Sequence, residues 1–561
     1  MAWRTCVLLV VAVSVTSGQQ TTANEEWREV NTPQGPVRGR KEPSGVYAFY
    51  NIPYVTTPLN EDKFKPPLPP PVWKTPFEAI DKHVICPQPT FPVEIMPKTV
   101  VMQEDCLIAN VFVPDTDEKN LSVLVYVHGG AFIMGYGEMF TARRMMKKDI
   151  IMVTFNYRLG IHGFLCLGTE DAPGNVGMKD QVALLRWVQK NIASYGGNPD
   201  DVTIAGYSAG SAAVDLLMLS KSAEGLFKKV IPESGGNLAA FSIQSNPLQI
   251  AQDYARKLNF TNVDDIYALE KFYKTVPMKL ITQDTFFDRT DGTFLFGPCV
   301  ERDTGHETFL TESPLRILKK GSYKKLPVLY GFAKMEGLLR IDFFEFWKQK
   351  MNDKFSDFLP ADLKFNSDAE REAVADKVKK FYFRDKSVGN DNILDYIDFF
   401  TDTIFAYPML WAVKLHVEAG NDQIYLYEYS FVDEHTPLVP HTNVRGANHC
   451  SQTMALMDGL NMTHSDESIL TPENKNMKKI VRSIWHNFVK TGKPVPEQSS
   501  LPAWPAAGVN RAPYMSLGEK VELRDEQLLE KRTRFWEDIY QNYYRDPLPP
   551  PTPKAQPRLE L

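Results

Sequence analysis

The sequence predicts an α/β protein with a large, mostly parallel central sheet that is flanked by helices on both faces. Short continuous apolar runs are typical of strands buried on both faces, and segments with helical apolar spacing lie between them. Strands that alternate with such helices form parallel sheets with both faces covered. The apolar runs are residues 123–127, 150–155, 202–205 and 327–332, and the clearest helical segments are residues 180–195 and 477–489.

The 561 residues show no internal repeat and no low-complexity linker before about residue 545. We therefore predict one catalytic domain over residues 19–545, followed by a proline-rich, disordered tail over residues 546–561. A content of 43% hydrophobic and 24% charged residues is ordinary for a globular chain with a large core. The formal net charge of -6 provides no positive field for a phosphate backbone, which argues against a nucleic-acid partner.

Residues 1–18 predict a secretory signal peptide. Arg4 precedes an apolar stretch over residues 6–15, and small residues follow up to Gly18. The apolar stretch is too short to span a bilayer, and no later run has the length or composition of a transmembrane helix. The C-terminal end carries no lipid-anchor signal. These features predict a secreted, extracellular chain without a membrane anchor.

Five cysteines remain after the signal peptide, so at least one thiol stays free or pairs outside the chain. Cys86 and Cys106 lie twenty residues apart, and closing a loop of that size stabilises a fold by about 3 kcal/mol. We predict a disulfide between these two and leave the state of the others open. Three sequons, typical of a secreted glycoprotein, predict N-glycosylation at Asn120, Asn259 and Asn461.

A candidate nucleophile lies between a predicted strand and a predicted helix. Residues 206–210 read GYSAG, which is the GxSxG pattern of a nucleophile elbow with Ser208 at its centre. So tight a turn exposes the serine oxygen, and the flanking glycines leave room for the crossing chain. Serine is a weak nucleophile at neutral pH, so an adjacent base, itself oriented by an acid, is required.

A second loop of small residues follows the predicted strand over residues 123–127. Residues 128–131 read HGGA, and their backbone N–H groups can point into a cavity without obstruction by side chains. Such a loop is typical of an oxyanion hole. An ordinary glycine turn is the alternative interpretation.

Further motifs occur in a fixed order along the chain: EDCL at residues 104–107, NYR at residues 156–158, and DQ followed by ALLRWV at residues 180–188. This co-linear set resembles the type-B carboxylesterase and cholinesterase family of α/β-hydrolases over nearly all of the mature length. The resemblance implies the α/β-hydrolase fold and a disulfide between Cys86 and Cys106. No metal cluster or nucleotide-binding loop is evident in the sequence, and serine-based ester hydrolysis needs no cofactor. It also implies Ser208 as the acyl-forming nucleophile and oxyanion donors at Gly130, Ala131 and Ala209.

The same resemblance identifies the rest of a catalytic triad. The family's GxxxxEG pattern matches residues 331–337 and implies Glu336 as the acid, where a solvated surface glutamate is the alternative. Its GxxH pattern matches residues 446–449 and implies His449 as the base, which gives the chain order Ser, Glu, His expected for this fold. Ser234, within ESG, resembles a serine that supports the acid.

Two departures from the family pattern concern the site. The residue after the histidine segment is usually acidic, whereas Cys450, Ser451 and Gln452 follow His449 here, which puts the local hydrogen bonding of that loop in doubt. The third position of the oxyanion glycine run is Ala131, whose methyl group we expect to narrow the space beside the scissile carbonyl.

The predicted substrate is an uncharged, lipophilic carboxylic ester. Cholinesterases hold a cation over a tryptophan of the first disulfide loop, but residues 87–105 contain none. Tyr207 stands where cholinesterases carry glutamate and juvenile hormone esterases typically carry glutamine, which disfavours both assignments. The aromatic residues 343–347 would either line an acyl pocket or belong to the core.

The chain therefore predicts a secreted serine carboxylesterase that acts on a small ester and water. Its likeness to secreted insect antennal and integumental esterases implies degradation of volatile acetate esters, such as odorants or pheromones. Broad detoxifying hydrolysis is the alternative, and an interfacial lipase is a third reading. A non-catalytic adhesion protein of the same fold is a remote alternative, because all three triad positions are occupied.

Overall fold

A computed structural model describes residues 26–89, 100–146, 149–282, 289–459 and 467–552. The predicted signal peptide, the sequon at Asn461 and the last nine residues of the predicted tail lie outside the described residues. Asn120 and Asn259 are exposed, so both remain accessible for the predicted glycosylation. The described helices include none that is long and apolar enough to cross a membrane.

Seventeen strands occur in the described chain. They are β1 (Trp27–Thr32), β2 (Gly35–Lys41), β3 (Val46–Pro53), β4 (Phe77–Glu78), β5 (Val84–Ile85), β6 (Val101–Met102), β7 (Ile108–Pro114), β8 (Leu121–Val127), β9 (Phe140–Thr141), β10 (Ile150–Phe155), β11 (Gly197–Tyr207), β12 (Lys229–Glu233), β13 (Val328–Ala333), β14 (Ile424–Tyr429), β15 (Asp458–Gly459), β16 (Tyr514–Leu517) and β17 (Val521–Arg524).

Thirteen of these strands form one sheet in the order β1-β2-β3-β7-β10-β8-β11-β12-β13-β14-β16-β17, with β4 paired to β2. The strands from β10 to β16 in this order run parallel. Antiparallel strands extend the sheet at both edges. The predicted large, mostly parallel sheet is confirmed, and all four predicted apolar runs coincide with its central strands.

Fifteen α-helices occur among the described residues. They are α1 (Arg143–Met146), α2 (Gly160–Phe164), α3 (Val176–Asn191), α4 (Ala209–Leu219), α5 (Pro247–Lys257), α6 (Ile266–Thr275), α7 (Met278–Ile281), α8 (Pro314–Lys320), α9 (Phe344–Asp353), α10 (Asp368–Phe383), α11 (Ile393–Phe400), α12 (Tyr407–Glu418), α13 (Ser451–Leu456), α14 (Pro472–Thr491) and α15 (Glu530–Tyr543). A 3₁₀-helix, Glu336–Phe343, follows β13, and a π-helix, Thr401–Ala406, joins α11 to α12.

Both predicted helices form with shifted ends. The segment predicted over residues 180–195 is helix α3 followed by a 3₁₀ turn, which ends at Gly196 with φ of +91°. Helix α14 begins before the predicted residue 477, because Thr471 accepts a hydrogen bond from the Asn474 N–H and Pro472 occupies the first turn. Both are strong helix-start signals that the apolar periodicity does not contain.

The sheet separates two hydrophobic cores. Successive side chains of a strand point to opposite faces, and along β8 Val123 and Val125 join one core while Leu124 and Tyr126 join the other. The first core contains apolar residues of α3 and α4, and the second contains those of α14. Helices therefore cover both faces, as predicted.

Two disulfides cross-link the described chain. One joins Cys86 to Cys106, and the second joins Cys166 to Cys299, which are 133 residues apart. Cys450 is a buried free thiol. At the C-terminus, residues 546–552 contain neither helix nor strand, but Asp546 pairs with Arg316 and two prolines of this stretch are buried.

Candidate active site

Ser208 occupies a strained turn between β11 and α4. Its φ of +55° lies in the region that L-residues rarely adopt, and its N–H donates to the Glu233 carbonyl at 2.8 Å. A Cβ on Gly206 would lie 2.4 Å from the Gly210 oxygen, and one on Gly210 would lie 2.3 Å from the Val127 oxygen. Both glycines are therefore required for the close approach that presents the serine.

The structure brings His449 and Glu336 together. The Nδ1 atom of His449 pairs with Oε2 of Glu336. Glu336 is fully buried and begins the 3₁₀-helix that follows β13. The other carboxylate oxygen, Oε1, accepts hydrogen bonds from the Ala333 N–H at 2.7 Å and from Ser234 Oγ at 2.5 Å. The ring of Phe405, on the π-helix, stacks on the His449 ring with centroids 4.3 Å apart. The imidazole is thus held on one edge and on one face.

The hydrogen bonding of the segment after His449 depends on Gln452, which lies in the first turn of α13. Its Nε2 donates to Ser234 Oγ at 2.6 Å, and Ser234 donates in turn to Glu336. Cys450 has a φ of +63° and is buried, and burial raises the pKa of its thiol. A chain of hydrogen bonds therefore runs from Gln452 through Ser234 and Glu336 to His449. The sequence identified Gln452 as a departure from the family pattern but did not predict its partner, because nothing local relates it to Ser234.

A second buried carboxylate lies beneath the site and was not predicted. Glu233 ends β12 and accepts hydrogen bonds from the Tyr427 hydroxyl and from Thr453 Oγ1, the latter at 2.8 Å. Burial raises the pKa of Glu233 to about 7, and these hydrogen bonds oppose the increase. The neighbouring charge of Glu336 raises the pKa further.

We expect the free energy of unfolding of Glu233→Gln, measured relative to that of wild type, to increase as pH rises from 5 to 8. Between the ordinary pKa of 4.5 and the folded value of about 7, the folded protein keeps a proton that the unfolded chain has lost. The stability that this proton confers is complete below about pH 4.5 and is lost as pH rises through 7, whereas glutamine does not titrate. Urea midpoints at four pH values measure the difference. A pH-independent difference between the two proteins would contradict the assignment.

The predicted oxyanion loop has an unusual backbone. Gly130, Ala131 and Phe132 have consecutive positive φ values of +102°, +56° and +59°, which an ordinary glycine turn does not require. A Cβ on Gly129 would lie 3.1 Å from Ser208 Cβ, so the loop passes directly beside the serine. Ala209, the third predicted donor, begins α4.

Ser208 and His449 open into one cavity of about 610 Å³. Its apolar lining residues are Ala131, Met134, Met139, Phe294, Leu339, Phe431, Ala447, Met454, Ala455 and Leu470. Residues 343–347 do not contribute to the described lining. Phe344 and Trp347 belong to the core, where Trp347 contacts Phe358 and Phe400, whereas Phe346 is exposed to solvent.

One side-chain group in the described chain has the composition of a metal site. Atoms of Asp81, His83 and Glu138 lie within 4.8 Å of one another. None of these three residues lines the cavity, and His83 Nδ1 is itself 3.1 Å from an Asp81 oxygen. The triad and the oxyanion loop have no part in it.

Comparison with known proteins agrees with this geometry. A family model described as "Carboxylesterase family" matches residues 26–536. The para-nitrobenzyl esterase of Bacillus subtilis is 30% identical over 90% of this chain and 98% of its own, and a carboxylic ester hydrolase of Bombus ignitus is 30% identical over 84% and 86%. The crystal structure of juvenile hormone esterase from Manduca sexta, with OTFP covalently attached, superimposes with a TM-score of 0.82 at 29% identity. The superposition covers 92% of this chain and 100% of the juvenile hormone esterase chain.

Proposed function

The chain belongs to the carboxylesterase family and is a carboxylic ester hydrolase, and on that basis we propose that Ser208, His449 and Glu336 hydrolyse lipophilic esters through an acyl-enzyme. The observation that carries the proposal is the convergence of three separate segments on one cavity. A strained serine and an imidazole both line it, and the imidazole is held by a buried carboxylate.

In the first step Ser208 Oγ attacks the ester carbonyl carbon, and Nε2 of His449 accepts the hydroxyl proton. Glu336 keeps Nδ1 protonated and stabilises the imidazolium that forms. The N–H groups of Gly130, Ala131 and Ala209 stabilise the negative charge on the carbonyl oxygen. His449 then donates its proton to the alcohol oxygen as the C–O bond breaks, which leaves the acyl group on Ser208.

The second step repeats this chemistry with water. His449 removes a proton from water, the hydroxide attacks the acyl carbon, and the same N–H groups stabilise the second oxyanion. Collapse of this intermediate returns the proton to Ser208 Oγ and releases the carboxylic acid. Glu336 acts in both steps by orienting the imidazole and stabilising its positive charge.

The apolar cavity supports uncharged, lipophilic esters as substrates, and we propose volatile acetates of long-chain alcohols as the natural class. The cavity of about 610 Å³ also supports the alternative, a broad detoxifying esterase. Export of the chain is supported by the composition of residues 1–18 and by the two disulfides. N-terminal sequencing of protein from the medium of expressing cells tests export, for which we expect a start near residue 19.

Trapping of the acyl-enzyme tests the mechanism. We expect 4-nitrophenyl acetate to give a burst of about one nitrophenolate per active site, and mass spectrometry of the quenched protein to find the acetyl group on the peptide that contains Ser208. An acetyl group on another residue would overturn the assignment.

A panel of acetates and longer acyl esters distinguishes the proposed substrate classes. A strong preference for acetates of long alcohols supports the proposed class, and similar rates for all esters support broad hydrolysis.

A further inference from the structure

The π-helix Thr401–Ala406 passes directly beside the histidine of the proposed triad. Its Phe405 is buried, with 1% of its surface exposed. The ring lies on the face of the His449 imidazole, with centroids 4.3 Å apart and planes inclined by 29°. The proposed mechanism assigns no role to this ring. A π-helix is rare, and it occurs frequently at functional sites, so the contact points to a part in the reaction.

The π-helix has a cause in the sequence. Pro408, in the first turn of α12, has no N–H to donate to the carbonyl four residues earlier, and in a regular α-helix its ring would clash with that carbonyl. The preceding turn is wider instead, and the Tyr407 N–H donates to the Asp402 carbonyl, five residues earlier. One additional residue in a turn rotates the side chains before it by about 100° around the helix axis. The wide turn therefore determines which side chain of this segment lies against His449.

The same π-helix is fixed to the segment that carries the acid. Thr401 Oγ1 accepts a hydrogen bond from the N–H of Gly337 at 2.9 Å, and Gly337 directly follows Glu336. A Cβ on Gly337 would lie 2.1 Å from the Ile397 oxygen, so the two segments are in close contact. Phe405 and Glu336 are therefore fixed relative to each other, and both contact the same imidazole.

We propose that Phe405 is a positioning residue for ester hydrolysis: its ring keeps the His449 imidazole aligned with Glu336 and stabilises the imidazolium that forms in both steps. This inference rests on the proposed function, because it concerns the base of the proposed triad. The face of an aromatic ring is negative and attracts a cation within about 6 Å of its centroid. The attraction is largest at desolvated sites, and Phe405 is buried. The contact therefore favours the charged form of the imidazole.

The alternative is that Phe405 only fills the core. Both roles predict some loss of activity when the ring is removed, but only the proposed role links that loss to the charge on the imidazole. A weaker ring face destabilises the imidazolium, so the acid limb of the kcat/KM profile, where His449 becomes protonated, moves to lower pH. The plateau of kcat falls at the same time, because the imidazolium is present in the transition state. A packing defect lowers the plateau without moving the acid limb.

Graded fluorination tests the charge directly, because it weakens the negative ring face with little change in shape. The full-length protein is compared with forms that carry 4-fluoro-, 3,5-difluoro- and 3,4,5-trifluorophenylalanine at position 405, with 4-nitrophenyl acetate as substrate. We expect the acid limb to move stepwise to lower pH, by about half a unit in total, and kcat to fall by up to about 3-fold. The same series at Phe399, a buried ring that contacts Phe355, Tyr382 and Phe400, should leave the acid limb in place.

Removal of the ring provides a second readout. Phe405→Leu keeps an apolar side chain, and we expect it to lower kcat by about 3- to 30-fold, with a much smaller effect on KM, and to move the acid limb to lower pH. Phe399→Leu is the matched control. It leaves a comparable gap in the core, so thermal unfolding shifts in both variants, but its acid limb should coincide with that of wild type.

The titratable groups around the imidazole are the same in all of these forms. They are Glu336 and Arg340 of the 3₁₀-helix, Glu233 of β12, the Cys450 thiol, Asp402 of the π-helix and Lys478 on the cavity wall. A difference in the acid limb therefore reports the ring at position 405. An acid limb that stays fixed throughout the fluorinated series, or that moves equally in the Phe399 series, would overturn the inference. Absence of ester hydrolysis by the wild-type protein would instead refute the proposed function.

Discussion

Ser208→Ala will lower kcat for 4-nitrophenyl acetate by about 10⁴- to 10⁶-fold while the protein remains folded. Loss of a triad nucleophile has effects of this size, and the remaining rate acceleration comes from the oxyanion donors and from binding. Alanine fits the turn because only the hydroxyl is removed. Steady-state kinetics with subtraction of the uncatalysed rate measure the loss, and unchanged thermal unfolding excludes misfolding. The exposed Ser44→Ala serves as the control.

A double variant shows whether Ser208 and His449 act as one unit. Residues of a triad are strongly non-additive, so Ser208→Ala/His449→Ala should lose little more activity than either single variant. Losses that multiply would mean that the two residues act in independent steps. Such a result would contradict the mechanism even if each single variant were inactive.

Arg158→Met will lower the free energy of unfolding by about 3–5 kcal/mol, because it leaves a buried carboxylate without its partner. Arg158 makes two hydrogen bonds to Asp180, at 2.8 and 2.6 Å, and its side chain is only 3% exposed. It also donates to the carbonyls of Lys63 and Lys65. The guanidinium therefore ties the segment after β10 to helix α3 and to the loop before β4.

A matched pair on the surface provides the comparison. Arg186 makes the same kind of two-pronged contact with Glu307, but both side chains are about half exposed. We expect Arg186→Met to cost less than about 1 kcal/mol, since solvent screens such pairs. Urea denaturation of both variants measures the difference. Equal losses of unfolding free energy in the two variants would show that burial does not determine how strongly the Arg158–Asp180 pair stabilises the protein.

The candidate nucleophile could be predicted from the sequence because its signal is local. GxSxG around Ser208 requires glycines for steric reasons that the structure identifies in the contacts of Gly206 and Gly210. The parallel sheet was predictable for a similar reason, since strands buried on both faces have continuous apolar runs. The acid and the base, by contrast, were assigned from family patterns, because a single glutamate or histidine carries no such local signal.

By itself, then, the sequence determined the fold class, the family and the order of the candidate triad. Only the tertiary structure decided how that triad is supported: the hydrogen bond from Gln452 to Ser234 spans 218 residues, and the disulfide from Cys166 to Cys299 spans 133. It also decided that Glu233 is buried against Thr453 in the helix that follows His449, and that Lys478 lines the cavity. The physical reason is that the carboxyl ends of distant parallel strands meet at one edge of the sheet. Contacts made there depend on the packing of whole elements, which no short pattern of residues encodes.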